Sequence, residues 1–138
     1  MQNPPVLYAE DDEDDVFFMK LAWEKAGVPN PLIALTDGRQ TLQYLAAEDP
    51  FCDRTKSPMP CLLLLDLKLP TITGFQVLQW IREQPALKEL KVVIVSSSGQ
   101  QLDIDLARKM GIHDYVVKPA ITTRLVEIVR NIQQRWLS

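Results

Sequence analysis

The chain has 138 residues, of which 46% are hydrophobic and 24% charged, with a formal net charge of −3. That balance excludes a disordered or collagen-like chain, and no apolar run approaches the ~20 residues of a membrane helix. A charge so near zero gives no ground for nucleic-acid or membrane binding, and a chain of this size folds around one core without staples.

In chain order, residues 6–9 form a short apolar run that reads as a buried strand. Six consecutive acids follow, Glu10, Asp11, Asp12, Glu13, Asp14 and Asp15, a third of the eighteen in the chain. Without them, twelve acids face fifteen Lys and Arg, so the negative charge is concentrated at one place. Two readings stand: acids answering the positive end of a helix dipole, or a cation site. Asp12 to Asp15 are expected to be solvated helix-start acids. Val16, Met19, Trp23 and Ala26 then make a helical stripe that stops at Gly27.

Residues 31–36 suggest a second strand, and Asp37 opens a helix carrying Leu42, Leu45 and Ala46. Residues 49–60, with three prolines, read as a lengthened loop between the second helix and the third strand. Residues 62–65 are wholly apolar and end at Asp66, as expected of a strand buried on both faces of a parallel sheet. Gly74, Val77, Leu78 and Ile81 form the next helix. Residues 92–95 form another apolar strand ending at Ser96, Ser97 and Ser98. Leu102, Leu106 and Met110 are the expected inner face of the fourth helix. Residues 115–117 form a strand ending at Lys118 and Pro119, and Leu125, Ile128, Val129, Ile132 and Trp136 mark a last amphipathic helix. His113 is expected to be an exposed loop residue. Trp23 and Trp80 are expected to pack, while Trp136 serves packing or an interface. Cys52 and Cys61 form no CxxC pair and read as reduced thiols.

Strand and helix alternate five times, which argues for helices packed around a parallel sheet. Ligands of such sheets bind beyond the carboxyl ends of the strands. Four strands end in polar groups: Glu10 with Asp11, then Asp66, Ser96 and Lys118. Crowded carboxylates repel and need a cation or raised pKa values; a hard divalent ion such as Mg²⁺ is one that suits them. A carboxylate can carry a phosphoryl group, and a lysine and a hydroxyl can hold its oxygens. Asp66, between the acids and the Lys–Ser pair, suits the nucleophile.

The segments Tyr8-Ala9-Glu10-Asp11-Asp12, Leu65-Asp66-Leu67-Lys68-Leu69-Pro70 continuing to Gly74, Val95-Ser96-Ser97, and Tyr115-Val116-Val117-Lys118-Pro119 occur in this order. In this the chain resembles the receiver domains of two-component response regulators, including the stand-alone chemotaxis type. The long connection at residues 48–60 also resembles single-domain regulators associated with phytochrome-type histidine kinases.

The resemblance implies a flavodoxin-like fold: a doubly wound, five-stranded parallel sheet of order 2-1-3-4-5 with helices on both faces. It implies one receiver domain over residues 1–138 with no attached output domain. Asp66 would be the phospho-acceptor. Mg²⁺ would be held by Glu10, Asp11, Asp66 and the backbone carbonyl of Lys68. Ser96 and Lys118 would hold the phosphoryl group, with Ser96 and Tyr115 as the switch pair. The Lys118–Pro119 bond would be cis, and Lys68 and Ser98 would tune the phosphoryl lifetime. Ser98 reads equally as a turn former. Ala120 departs from the large apolar residue common after Lys-Pro.

The implied partners are a histidine kinase and either a downstream target or a phosphotransfer protein, in the cytoplasm, with a homodimer as an open option. No nucleic-acid or membrane partner is expected. A phosphorylation-independent interaction module is the alternative. A phosphohydrolase is disfavoured, because no second acid stands two residues beyond Asp66.

Overall fold

The computed structural model describes residues 3–137. Strands β1 (Val6–Ala9), β2 (Leu32–Leu35), β3 (Leu62–Leu65), β4 (Lys91–Ser96) and β5 (Asp114–Val117) alternate with helices α1 (Glu13–Ala26), α2 (Gly38–Leu45), α3 (Gly74–Arg82), α4 (Gln101–Lys109) and α5 (Leu125–Ile132). All strand pairs are parallel, in the order β2-β1-β3-β4-β5, as expected.

Strand alternation feeds two cores. Leu7, Ala9, Leu63, Leu65, Val92 and Ile94 face Tyr44 and Leu45 of α2, Val77, Leu78 and Ile81 of α3, and Ala107 of α4. Val6, Tyr8, Leu62, Leu64, Val93 and Val95 face Met19, Ala22 and Trp23 of α1, and Leu125, Val129 and Ile132 of α5. With both faces covered, the central strands have no polar side to show, which is why their sequences are continuous apolar runs.

Helix ends follow local chemistry. The Asp12 carboxylate accepts hydrogen bonds from the Asp14 and Asp15 amides, and Gly27 closes α1 in the left-handed conformation at φ 71°. Asp37 caps α2. Thr73 and Gln76 form a reciprocal capping box on α3. Between α2 and β3 the chain is held by Arg54, whose guanidinium donates to the carbonyls of Tyr44 (2.8 Å), Leu45 (3.0 Å) and Ser57 (3.1 Å). It thereby ties the last carbonyls of α2 to the loop that follows.

The fourth helix departs from expectation. Among the described residues of α4, Ala107 is the fully buried one, while Leu102 and Leu106 are 78% and 45% exposed. Ala107 and Met110 are the residues that join the core, and Ile104 is half-buried, so the inward line is offset from the one read from the leucines. Two polar clamps set the roll. Ser98 Oγ donates to Asp103 Oδ2 at 2.6 Å, and Arg82 donates to the carbonyls of Met110 and Gly111 at 3.0 and 2.9 Å.

His113 is exposed as expected, yet it is engaged. Its Nδ1 accepts the Val92 amide at 3.1 Å, and its ring meets Trp136 edge-on at 5.6 Å. Burial, then the charges of Arg82 and Lys91, hold its pKa below the ordinary value. The accepting lone pair exists on the neutral ring, so the folded state binds a proton later than the unfolded chain. The stabilisation is therefore complete above about pH 6.5 and lost as pH falls through the depressed pKa. The difference in urea midpoint between wild type and His113→Leu should be smaller at about pH 5 than at about pH 8. An equal gap at both values would refute the prediction.

Candidate functional site

The site is built by extending the sheet one residue past its strands. The Glu10 amide donates to the Leu35 carbonyl at 3.0 Å, the Asp66 amide to Ala9 at 3.1 Å, and the Lys118 amide to Ser96 at 2.7 Å. The ladder therefore sets Glu10, Asp66 and Lys118 side by side at the carboxyl edge. Glu10 is 1% exposed, Asp66 6% and Ser96 0%, whereas Asp11 is open to solvent. Glu10, Asp11 and Asp66 each offer an oxygen within 4.8 Å of the others, a set that can hold a metal ion.

Lys118 is the hub. Its Nζ donates to Glu10 Oε1 and to Asp15 Oδ2 (2.8 Å), and lies 3.6 Å from Asp66 Oδ2. The Asp12 amide supports Glu10 Oε2 at 3.2 Å, and the Lys68 amide reaches Asp66 Oδ1 at 3.3 Å. The Lys68 side chain itself is exposed. Burial, and the charge of Asp66, push Glu10 up to about 7 against the opposing pull of Lys118. For Lys118, burial works against the ammonium, but the hydrogen bonds to Asp15 and Glu10 and the charge of Asp66 outweigh it, so its pKa is raised. Burial beside Glu10 raises the Tyr8 phenol too, so Tyr8 acts as a hydrogen-bond donor to Glu10 at 3.4 Å. One ammonium thus faces three carboxylates, Glu10, Asp15 and Asp66, and Asp11 adds a fourth acid beside Glu10 and Asp66. The surplus of negative charge, on oxygens with one open side, suits a hard divalent cation that keeps some of its water.

Ser96 Oγ accepts the Ser98 amide at 3.1 Å, and Tyr115 donates its hydroxyl to the Ser98 carbonyl at 2.7 Å. Tyr115 is therefore tied to the turn that carries Ser96. Ser98 is buried and anchors α4 through Asp103.

The Lys118–Pro119 bond, expected to be cis, is trans; the cis X–Pro bond among the described residues is Asp49–Pro50. The X–Pro amide separates its isomers by only about 0.5–1 kcal/mol, so local packing decides between them. The dipeptide alone could not. Asp15, expected to be a solvated helix-start acid like its neighbours, is instead half-buried on Lys118, and Tyr8, read only as part of a motif, reaches Glu10. Tyr8 lies two residues before Glu10, hence on the same face of β1, and Asp15 lies one helical turn beyond Asp11. Both spacings were visible; that either residue reaches Glu10 or Lys118 was not.

A doubly wound parallel sheet of order β2-β1-β3-β4-β5, with charged groups gathered beyond its switch point, defines the flavodoxin-like fold. The chain belongs to the response regulator receiver domain family, which matches residues 6–130. This is a family of two-component signalling switches rather than turnover enzymes. Response regulator Rcp1 of Synechocystis sp. is 30% identical over 137 residues, covering 98% of this chain and 91% of Rcp1. The phosphorylated cyanobacterial phytochrome response regulator RcpA superposes with a TM-score of 0.90 at 31% identity, over 99% of this chain and 95% of RcpA. The regulator RPA3017, in red light signaling of R. palustris, gives 0.92 at 32% identity, over 98% and 94%. Among the described residues no helix is long and apolar enough to cross a membrane.

Proposed function

We propose that the chain is a cytoplasmic, single-domain response regulator that accepts a phosphoryl group on Asp66 from a histidine kinase of the phytochrome type. The observation that carries the reading is the position of Asp66: its carboxylate lies 3.6 Å from the Lys118 ammonium and within 4.8 Å of oxygens of Glu10 and Asp11.

An Asp66 carboxylate oxygen attacks phosphorus, the donor's P–N or P–O bond breaks, and an acyl phosphate forms. Glu10, Asp11, Asp66 and the Lys68 carbonyl would hold Mg²⁺, which offsets charge on the transferring oxygens. Lys118 supplies an ammonium to those oxygens, and Ser96 exchanges its bond with the Ser98 amide for one to the phosphoryl group. That exchange loosens the turn to which Tyr115 and Asp103 are tied and passes the change to α4 and β5. Exposed Leu102, Leu106, Val117 and Ile121 offer apolar surface on α4, on β5 and just after it, for a downstream target, a phosphotransfer protein or a second copy. Hydrolysis of the acyl phosphate resets the switch, with Lys68 and Ser98 tuning its lifetime.

Intact-mass measurement after incubation with acetyl phosphate tests this. Wild type should gain one phosphoryl group in Mg²⁺ and none in EDTA, and Asp66→Asn should gain none in either. Label persisting on Asp66→Asn would overturn the assignment.

A further inference from the structure

Lys118 has three N–H bonds and three carboxylate neighbours, but it serves them unequally. Glu10 and Asp15 receive hydrogen bonds, whereas Asp66, at 3.6 Å, receives only a charge contact. The proposed acceptor is thus the least engaged of the three. Asp15 also stands apart from the rest of the acidic run. Asp11, Asp12, Glu13 and Asp14 are exposed, and Asp12 is occupied in capping α1, but Asp15 is half-buried. Its bond joins α1 to the segment after β5, across 103 positions of sequence.

We propose that Asp15 is a positioning residue that holds the Lys118 ammonium away from Asp66 in the resting protein and thereby sets how readily the site takes up a phosphoryl group. The proposal rests on the reading of Asp66 as acceptor.

When an anionic phosphoryl group arrives at Asp66, Lys118 must give up a partner or reorient. Glu10 is 1% exposed and finds no water in exchange, so breaking its bond is costly. The Asp15 side chain is 39% exposed and is resolvated once released. Asp15 is therefore the partner that yields. Until it does, it competes in the ground state for a donor that the transition state needs on the phosphoryl oxygens. Removing its charge removes the competitor while the lysine stays in place on Glu10.

Initial rates of phosphoryl uptake from acetyl phosphate, at saturating Mg²⁺, should be about threefold to tenfold higher for Asp15→Asn than for wild type. Saturating metal keeps the lost negative charge from acting through Mg²⁺ affinity. Asp15→Glu, which keeps the carboxylate, should return the rate to near the wild-type value. Urea midpoints recorded on the same samples separate this pattern from loosened structure, which would not be rescued by glutamate alone. An Asp15→Asn rate equal to or below that of a competent wild type overturns the proposal alone, as does Asp15→Glu matching Asp15→Asn. A wild type that takes up no phosphoryl group overturns the acceptor reading, and this proposal with it.

Discussion

Lys118→Met is expected to lower the stability of the metal-free protein by about 3 kcal/mol at neutral pH. The lysine is the cation that faces the buried carboxylates of Glu10 and Asp66. Methionine fills similar space but leaves two anions side by side without a counter-charge. Breaking a buried pair from one side costs ~3–5 kcal/mol, and the low end applies here because Glu10, already raised to about 7, can take a proton. Urea unfolding of wild type and variant in EDTA measures the loss. Excess Mg²⁺ should recover part of it, since a ligand of the native state stabilises by mass action and the variant's site is more negative. A variant within about 0.5 kcal/mol of wild type in EDTA would show that the lysine is not the counter-charge that the buried acids depend on.

Gly74→Ala is expected to cost about 3 kcal/mol and to slow phosphoryl uptake roughly tenfold or more. A Cβ on Gly74 would lie 2.2 Å from the Asp66 carbonyl oxygen and 2.6 Å from Leu67 Cα. These are backbone atoms and cannot rotate aside. The Gly74 amide also donates to the Leu67 carbonyl at 3.0 Å, closing the loop that starts at Asp66. The added methyl therefore pushes on the segment that aims the Asp66 carboxylate. Gly99→Ala is the control: its Cβ would meet only the Val117 side chain at 3.8 Å, and it should change stability by less than about 0.5 kcal/mol. Similar urea midpoints for the two alanine variants would refute the close-approach argument.

Much of this molecule was legible locally. A four-leucine strand ending in Asp66 needs burial on both faces, which places it in the middle of a parallel sheet and puts the acid at its carboxyl edge. Asp12, Asp37 and Gly27 begin or end helices by chemistry confined to one turn. The gathering of Glu10, Asp11, Asp66, Ser96 and Lys118 followed from strand ends alone, because parallel strands in register bring their ends together.

What the sequence determined by itself, then, is the alternation of elements, the caps that bound them and the edge where the charged groups meet. All of these depend on contacts within a few residues, on unbroken apolar runs or on helical spacing. The tertiary structure alone decided the third carboxylate on Lys118, the tie of Tyr115 to the Ser98 carbonyl, the stripe that α4 turns inward and the isomer of the Lys118–Pro119 bond. Each of these depends on how a helix rolls or a loop packs against chain that is remote in sequence. Asp15 illustrates the reason: its place on the first turn of α1 was predictable, but its partner arrives from beyond β5 only once every intervening strand is in register.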